Sequence, residues 1–168
     1  MSGVKFLGHS LHPILIVFPL GLLGGATFFE LFFLISGRTE FALVSFWLII
    51  AGLIGGLVAA PFGLLDWVAI ASGTRAKTIG LIHGLTNVLA LLLFAVSGYL
   101  RWNSETRPGV VATSLVFIGF IVALFGGWLG GELVERLGIG VHEGANANAP
   151  SSLEKDPPIY SNVEPKKI

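Results

Sequence analysis

The sequence predicts an all-α integral membrane protein, an antiparallel bundle of four transmembrane helices followed by a polar tail. Hydrophobic residues make up 54% of the 168-residue chain and charged residues only 12%, about half the share found in soluble domains. The mean hydropathy of +0.84 excludes an ordinary water-soluble globule, because a small soluble domain exposes too much surface to carry so few charges. The apolar residues also gather in four long runs.

The four runs follow one another with short polar separators. They cover residues 14–35, 41–65, 78–100 and 110–133, and each has the roughly 20 residues that a helix needs to cross a bilayer core. They must be helices, because a backbone exposed to lipid satisfies its hydrogen bonds internally. A β-barrel would show alternating ten-residue segments, which these runs do not. The first run is too long for a signal peptide and has no clear cleavage site, so we expect it to be retained.

Residues 1–142 form the predicted four-helix transmembrane domain, and residues 143–168 form a polar tail. The tail holds 7 of the 20 charged residues and four of the eight prolines. Because it has almost nothing to bury, we expect it to be disordered.

Every predicted helix carries small residues spaced four apart. The pairs are Gly21/Gly25, Gly52/Gly56, Gly80/Gly84, Gly126/Gly130 and Gly127/Gly131. Such pairs let helix backbones approach closely in lipid. They favour either tight mutual packing or room beside a flat cofactor.

Four crossings place both termini and the second loop on one side of the membrane, here called face A. The first and third loops lie on the opposite side, face B. The basic residues near face A are Lys5, Arg75, Lys77 and Arg136, and those near face B are Arg38, Arg101 and Arg107. The small excess on face A favours a cytoplasmic location for both termini.

The four histidines converge on face A in this topology. They are the predicted cofactor-binding residues, together with one amide: His12, His83, His9, His142 and Asn87. His83 is the strongest of them, because an ionisable group inside a membrane helix is costly and is a functional candidate by default. A histidine that is simply hydrogen-bonded inside the bundle is the competing interpretation. Glu30 lies toward the other end, facing either the bundle or the headgroups.

Three kinds of chemistry suit these residues. Two imidazoles from different helices are suitable axial ligands for a non-covalent b-type haem. His12 and His83 with Asp66 or Glu132, which also end helices near face A, suit a zinc, iron or copper ion. Histidine also serves proton transfer, since it titrates near neutral pH. The absence of cysteine excludes disulfides and a Cys-bound iron–sulfur cluster, and the zero net charge argues against nucleic-acid binding.

Three segments resemble a family of bacterial membrane proteins, the domain of unknown function 2231. They are residues 11–13 with 18–23 (LHP and FPLGLL), residues 66–67, 73–76, 83 and 87 (DW, GTRA, H and N), and residues 130–134 with 138–141 (GGELV and GIGV). The resemblance covers about residues 9–142. It implies a four-helix domain in the bacterial inner membrane. It also hints at electron transfer, because some relatives resemble fusions to Rieske-type domains. Its motif positions are His12, Asp66, Arg75, His83, Asn87 and Glu132.

We therefore expect a small polytopic membrane protein that binds haem b or a His-ligated metal ion and transfers electrons. The first alternative is a non-catalytic accessory subunit of a larger membrane complex, and the second is a small ion or proton transporter. No motif for a catalytic nucleophile or a phosphate-binding loop is present, so no catalytic residue is predicted. The expected partners are the lipid bilayer, other membrane subunits or a redox partner, and a second copy of the chain.

Overall fold

The computed structural model describes residues 4–142 and 144–154. A short hairpin of β1 (Lys5–Phe6) and β2 (His9–Ser10) precedes the helices. The helices are α1 (Leu11–Leu15), α2 (Val17–Ser36), α3 (Thr39–Ala69), α4 (Arg75–Leu100) and α5 (Val110–Gly131), and α5 continues into a π-helical turn (Glu132–Arg136). Within these described residues, four segments are long and apolar enough to cross a membrane: Leu11–Ser36, Thr39–Ala69, Arg75–Leu100 and Val110–Arg136. The predicted all-α, four-helix membrane architecture is confirmed.

The ends of the helices follow from local sequence signals. Helix α2 stops where Gly37 takes a left-handed φ of +67°, which glycine adopts without the steric cost of a Cβ atom. Helix α4 starts after Thr74, whose hydroxyl oxygen accepts the Lys77 backbone N–H at 3.2 Å. The first span is divided into α1 and α2 at Ile16. Pro19 has no N–H to donate to the carbonyl of Leu15 four residues earlier, which weakens the helix at this point.

The bundle consists of two tightly packed hairpins, α2–α3 and α4–α5, which meet around one apolar cluster. Its buried members are Leu23, Ala26, Ile49, Phe94 and Val116. Glycines allow the close approach. A Cβ atom on Gly52 would lie 2.6 Å from Leu23, and one on Gly56 would lie 2.7 Å from Leu91. A Cβ atom on Gly127 or Gly131 would have no neighbouring atom within 4 Å among the described residues. These two glycines are therefore not needed for close helix packing within the chain.

A fully buried ion pair joins the two hairpins near face B. The Glu30 carboxylate accepts hydrogen bonds from Arg101 at 3.0 and 3.1 Å and from the Thr113 hydroxyl at 2.7 Å. Both charged side chains have zero solvent exposure. Glu30 therefore faces the bundle and not the headgroups. Arg101, counted above among the charges of face B, is turned inward, where its pairing with the Glu30 carboxylate offsets part of the cost of burying the guanidinium. Arg38 and Arg107 remain as the basic residues of that face.

The described part of the predicted tail, residues 144–154, is exposed and forms turns. It lies against the N-terminal hairpin, where the Ser152 hydroxyl donates to the Leu7 carbonyl at 3.0 Å. The rest of the tail, Glu143 and residues 155–168, lies outside the described residues, and so does its expected disorder.

The buried pair predicts a distinctive pattern of stability. Glu30→Met or Arg101→Met alone leaves one charge buried without a partner, which typically costs about 3–5 kcal/mol. The double variant Glu30→Met/Arg101→Met removes both charges and should recover much of that loss. The measurement is the free energy of unfolding in mixed detergent micelles.

The control for this cycle is the exposed pair of Arg38 and Glu40, whose side chains are 64% and 67% exposed and 3.7 Å apart. Arg38→Met should change the free energy of unfolding by less than about 1 kcal/mol. Equal losses for the single variants at the buried and exposed pairs would contradict the structural role of the buried pair.

Candidate functional site

His12 reaches the interior from the first turn of α1. Its ring nitrogen Nδ1 lies 3.2 Å from the Ala59 carbonyl oxygen of α3. The ring also packs against the backbone at Gly63, where a Cβ atom would lie 2.8 Å from the imidazole. The side chain is half-buried, and α3 leaves room for it only because position 63 has no side chain.

His83 in the second hairpin makes the same kind of contact as His12, between Nδ1 and a backbone carbonyl. It projects from α4, and its Nδ1 lies 2.9 Å from the Gly126 carbonyl oxygen of α5. A Cβ atom on Gly130 would lie 3.1 Å from the ring. The predicted glycine pair 126/130 thus forms a cradle for His83 on α5.

Asn87 lies one helical turn beyond His83 and supports its ring. Its side-chain N–H group donates to the His83 carbonyl at 2.9 Å, and the same nitrogen lies 3.2 and 3.3 Å from the two ring nitrogens. A Cβ atom on Gly126 would lie 2.7 Å from the Asn87 amide oxygen. Asn87 is therefore wedged between the His83 ring and α5.

The two imidazoles meet across the boundary between the hairpins. Their centroids are 6.5 Å apart and their planes are nearly perpendicular, at 89°. A carbonyl oxygen only accepts hydrogen bonds, so each Nδ1 that faces one carries the hydrogen. In the neutral rings of His12 and His83 this leaves the lone pair on Nε2, the form in which imidazole binds a metal ion. The Nε2 atom of His83 also lies within hydrogen-bonding distance of the Asn87 side-chain nitrogen, at 3.2 Å.

The predicted carboxylates occupy different environments. Asp66, near the end of α3, is partly buried and close enough to His12 for a direct electrostatic interaction. Glu132 is held by Arg75, whose guanidinium donates to it at 2.6 Å. This ion pair joins the start of α4 to the end of α5, so Glu132 is engaged in a structural contact rather than facing the imidazoles unpaired.

The structure places the other two histidines at the surface. His9 lies in the N-terminal hairpin, with its Nδ1 3.1 Å from the Leu7 carbonyl oxygen. His142 accepts the Gly144 backbone N–H at 3.0 Å. Both are exposed. Within residues 4–142 and 144–154, no three histidine or carboxylate side chains are close enough together to hold a metal ion, so His12 and His83 form a two-residue site.

The sequence prediction did not identify the glycines as partners of individual site residues. Gly63 does not belong to any of the predicted pairs, yet it accommodates His12. A useful signal was present: the antiparallel topology brings the end of α3 beside the start of the first span, where a histidine enters the membrane.

Comparison with known proteins identifies one family. The family model described as a predicted membrane protein, DUF2231, matches residues 8–143. This range contains His9, His12, Asp66, His83, Asn87, Glu132 and His142. No curated protein and no solved structure matches the chain.

The close packing at Gly126 predicts that the same substitution changes stability differently at this residue and at its neighbour Gly127. Gly126→Ala displaces Asn87 and should destabilise the fold by about 1–3 kcal/mol, as overpacking does. Gly127→Ala meets no neighbouring atom among the described residues. It should be neutral or stabilising by up to about 1 kcal/mol, because alanine is the better helix former.

Unfolding of both variants in mixed micelles measures this difference. A destabilised Gly127→Ala, or a Gly126→Ala as stable as the original chain, would show that Asn87 is not wedged as described.

Proposed function

This chain belongs to the DUF2231 family of predicted membrane proteins, and on that premise we propose that it holds a redox-active metal centre between His12 and His83 and transfers electrons. The protein is a small multi-pass membrane protein with four apolar helices among its described residues, and the proposed centre lies at its histidine pair.

The spacing of the two imidazoles carries the proposal. An imidazole nitrogen binds a first-row metal ion at about 2.0–2.1 Å, and it lies about 1.1 Å from the centre of its ring. Two rings bound on opposite sides of one ion therefore have centroids about 6.3 Å apart. The centroids of His12 and His83 are 6.5 Å apart, which is close to this value and supports the proposal.

The surroundings of each ring favour a ligand role. A metal-binding histidine usually donates its other ring N–H to a carbonyl or carboxylate, which fixes the tautomer and the ring orientation. Ala59 and Gly126 supply such carbonyls to His12 and His83.

A single ion fits this site better than a haem. The Cβ positions of Gly63, Gly126 and Gly130 lie 2.7–3.1 Å from the side chains of His12, Asn87 and His83, so helices already pack closely around the imidazoles. A haem macrocycle would have to separate them. Copper and iron are the candidates, because both accept imidazole ligands and change oxidation state.

The two histidines leave coordination positions for other ligands. Among the described residues Asp66 does not lie close enough to the two histidines to form a three-residue group, so an oxygen ligand from it would require its side chain to move. The site lies near face A, where the ion is close enough to the membrane surface to exchange electrons with a partner protein.

Metal loading of the full-length protein tests the proposal. Protein purified in mild detergent should bind about one copper or iron ion per chain, measured by elemental analysis after gel filtration. The copper(II) form should show nitrogen couplings in its electron paramagnetic resonance spectrum. His12→Ala and His83→Ala should each weaken binding by at least about tenfold, since even outer-shell changes commonly cost that much.

The matched controls are His9→Ala and His142→Ala, which remove exposed histidines outside the pair. Both should bind the ion as the original chain does. Equal losses in all four variants, or protein that takes up neither copper nor iron, would refute the metal centre. A bound ion with no measurable potential between its oxidation states would refute electron transfer alone. A Soret band in the purified protein that is lost in His83→Ala would show that the histidines bind haem instead of a single metal ion.

A further inference from the structure

The polar cluster near face B has two atoms whose hydrogen bonding is incomplete. Within the described part of the chain, the buried side-chain polar atoms without a hydrogen-bond partner are Arg101 Nε and Ser45 Oγ. Both residues have zero solvent exposure. Leaving such groups without partners in an apolar interior is costly, and buried polar groups in proteins are almost always hydrogen-bonded to protein or water.

The packing of α3 on α4 brings these two residues to the same level. A Cβ atom on Gly98 would lie 3.5 Å from Ile49, which sets the register of the two antiparallel helices. Ser45 lies one turn from Ile49 on the same face of α3, and Arg101 lies one turn from Gly98 in the opposite chain direction. The next contact toward face B, between the rings of Phe46 and Trp102 at 5.9 Å, follows the same register.

The geometry of the ion pair shows which hydrogen of the guanidinium is unused. The Glu30 carboxylate accepts hydrogen bonds from both terminal nitrogens of Arg101. This end-on arrangement leaves the Nε–H group directed away from the carboxylate. A molecule bound at this position must accept a hydrogen bond from Nε–H. It must also donate a hydrogen bond to the Ser45 hydroxyl or accept one from it. It needs no net charge, because Glu30 already neutralises Arg101.

We propose that a buried water molecule binds here, accepting from Arg101 Nε–H and hydrogen-bonding to the Ser45 hydroxyl. Water satisfies both groups at once, and buried waters in proteins typically occupy such sites. The site would link α3 to the Glu30, Arg101 and Thr113 cluster. All four membrane-spanning segments would then be joined at one polar point. This inference does not depend on the histidine pair or on any bound metal.

Hydroxyl-radical labelling of the full-length protein in detergent tests the water site. Radicals formed by X-ray pulses from a bound water modify the side chains beside it, even when bulk solvent is excluded. Phe46 follows Ser45 in the chain, contacts Trp102 at the same level and is 2% exposed, whereas Phe94 lies in the apolar cluster at 0%. Mass spectrometry should show several-fold more modification of Phe46 than of Phe94.

Two serine variants make the test specific. Ser45→Ala should reduce the modification of Phe46 several-fold, because the water loses one of its partners. Ser97→Ala is the matched control. Ser97 is equally buried, but its hydroxyl already donates to the Ala112 carbonyl at 2.7 Å, so the variant should leave Phe46 labelling unchanged. Equal labelling of Phe46 and Phe94, or labelling that Ser45→Ala does not change, would overturn the proposal.

A high-resolution experimental structure gives a second readout that does not depend on any variant. A density peak is expected within hydrogen-bonding distance, about 2.7–3.2 Å, of both Arg101 Nε and Ser45 Oγ. A Ser45 hydroxyl that instead donates to a carbonyl of its own helix, with no such peak, would overturn the proposal.

Discussion

The interior of this protein is organised by one constraint: in hydrocarbon, a polar group without an internal partner is too costly to keep. The Glu30–Arg101 pair shows the constraint most clearly. Neither charge has any contact with solvent. The two side chains share two hydrogen bonds, and Thr113 adds a third bond to Glu30. Because the carboxylate comes from one helical hairpin and the guanidinium from the other, satisfying the charges also fixes how the hairpins pack.

The histidine pair follows the same rule with neutral partners. Nδ1 of His12 is hydrogen-bonded to a backbone carbonyl of α3, and Nδ1 of His83 to one of α5. Each Nδ1 therefore finds its partner inside its own hairpin. The contact between the rings is therefore not needed to satisfy either Nδ1. The remaining nitrogen of His83 lies 3.2 Å from the Asn87 side-chain nitrogen, so a ligand at this ring would compete with the amide.

The two polar sites are far apart, and an apolar layer lies between them. His83 and Arg101 are 18 residues apart on the α4 axis, roughly 27 Å at 1.5 Å per residue. The cluster of Leu23, Ala26, Ile49, Phe94 and Val116 fills the level between them. Such a layer is unfavourable for a proton path across the membrane.

The sequence predicts the architecture well and the site only in part. Four apolar runs are enough to define the helices, because lipid leaves the backbone no alternative. The convergence of His12 and His83 also follows from topology alone. The partners of Glu30 and Arg101 do not, because a charge at the edge of an apolar run is compatible with the headgroups as well as with the interior. Which side chain each glycine accommodates depends on helix rotation, and a sequence in which almost every face is apolar carries little information about rotation.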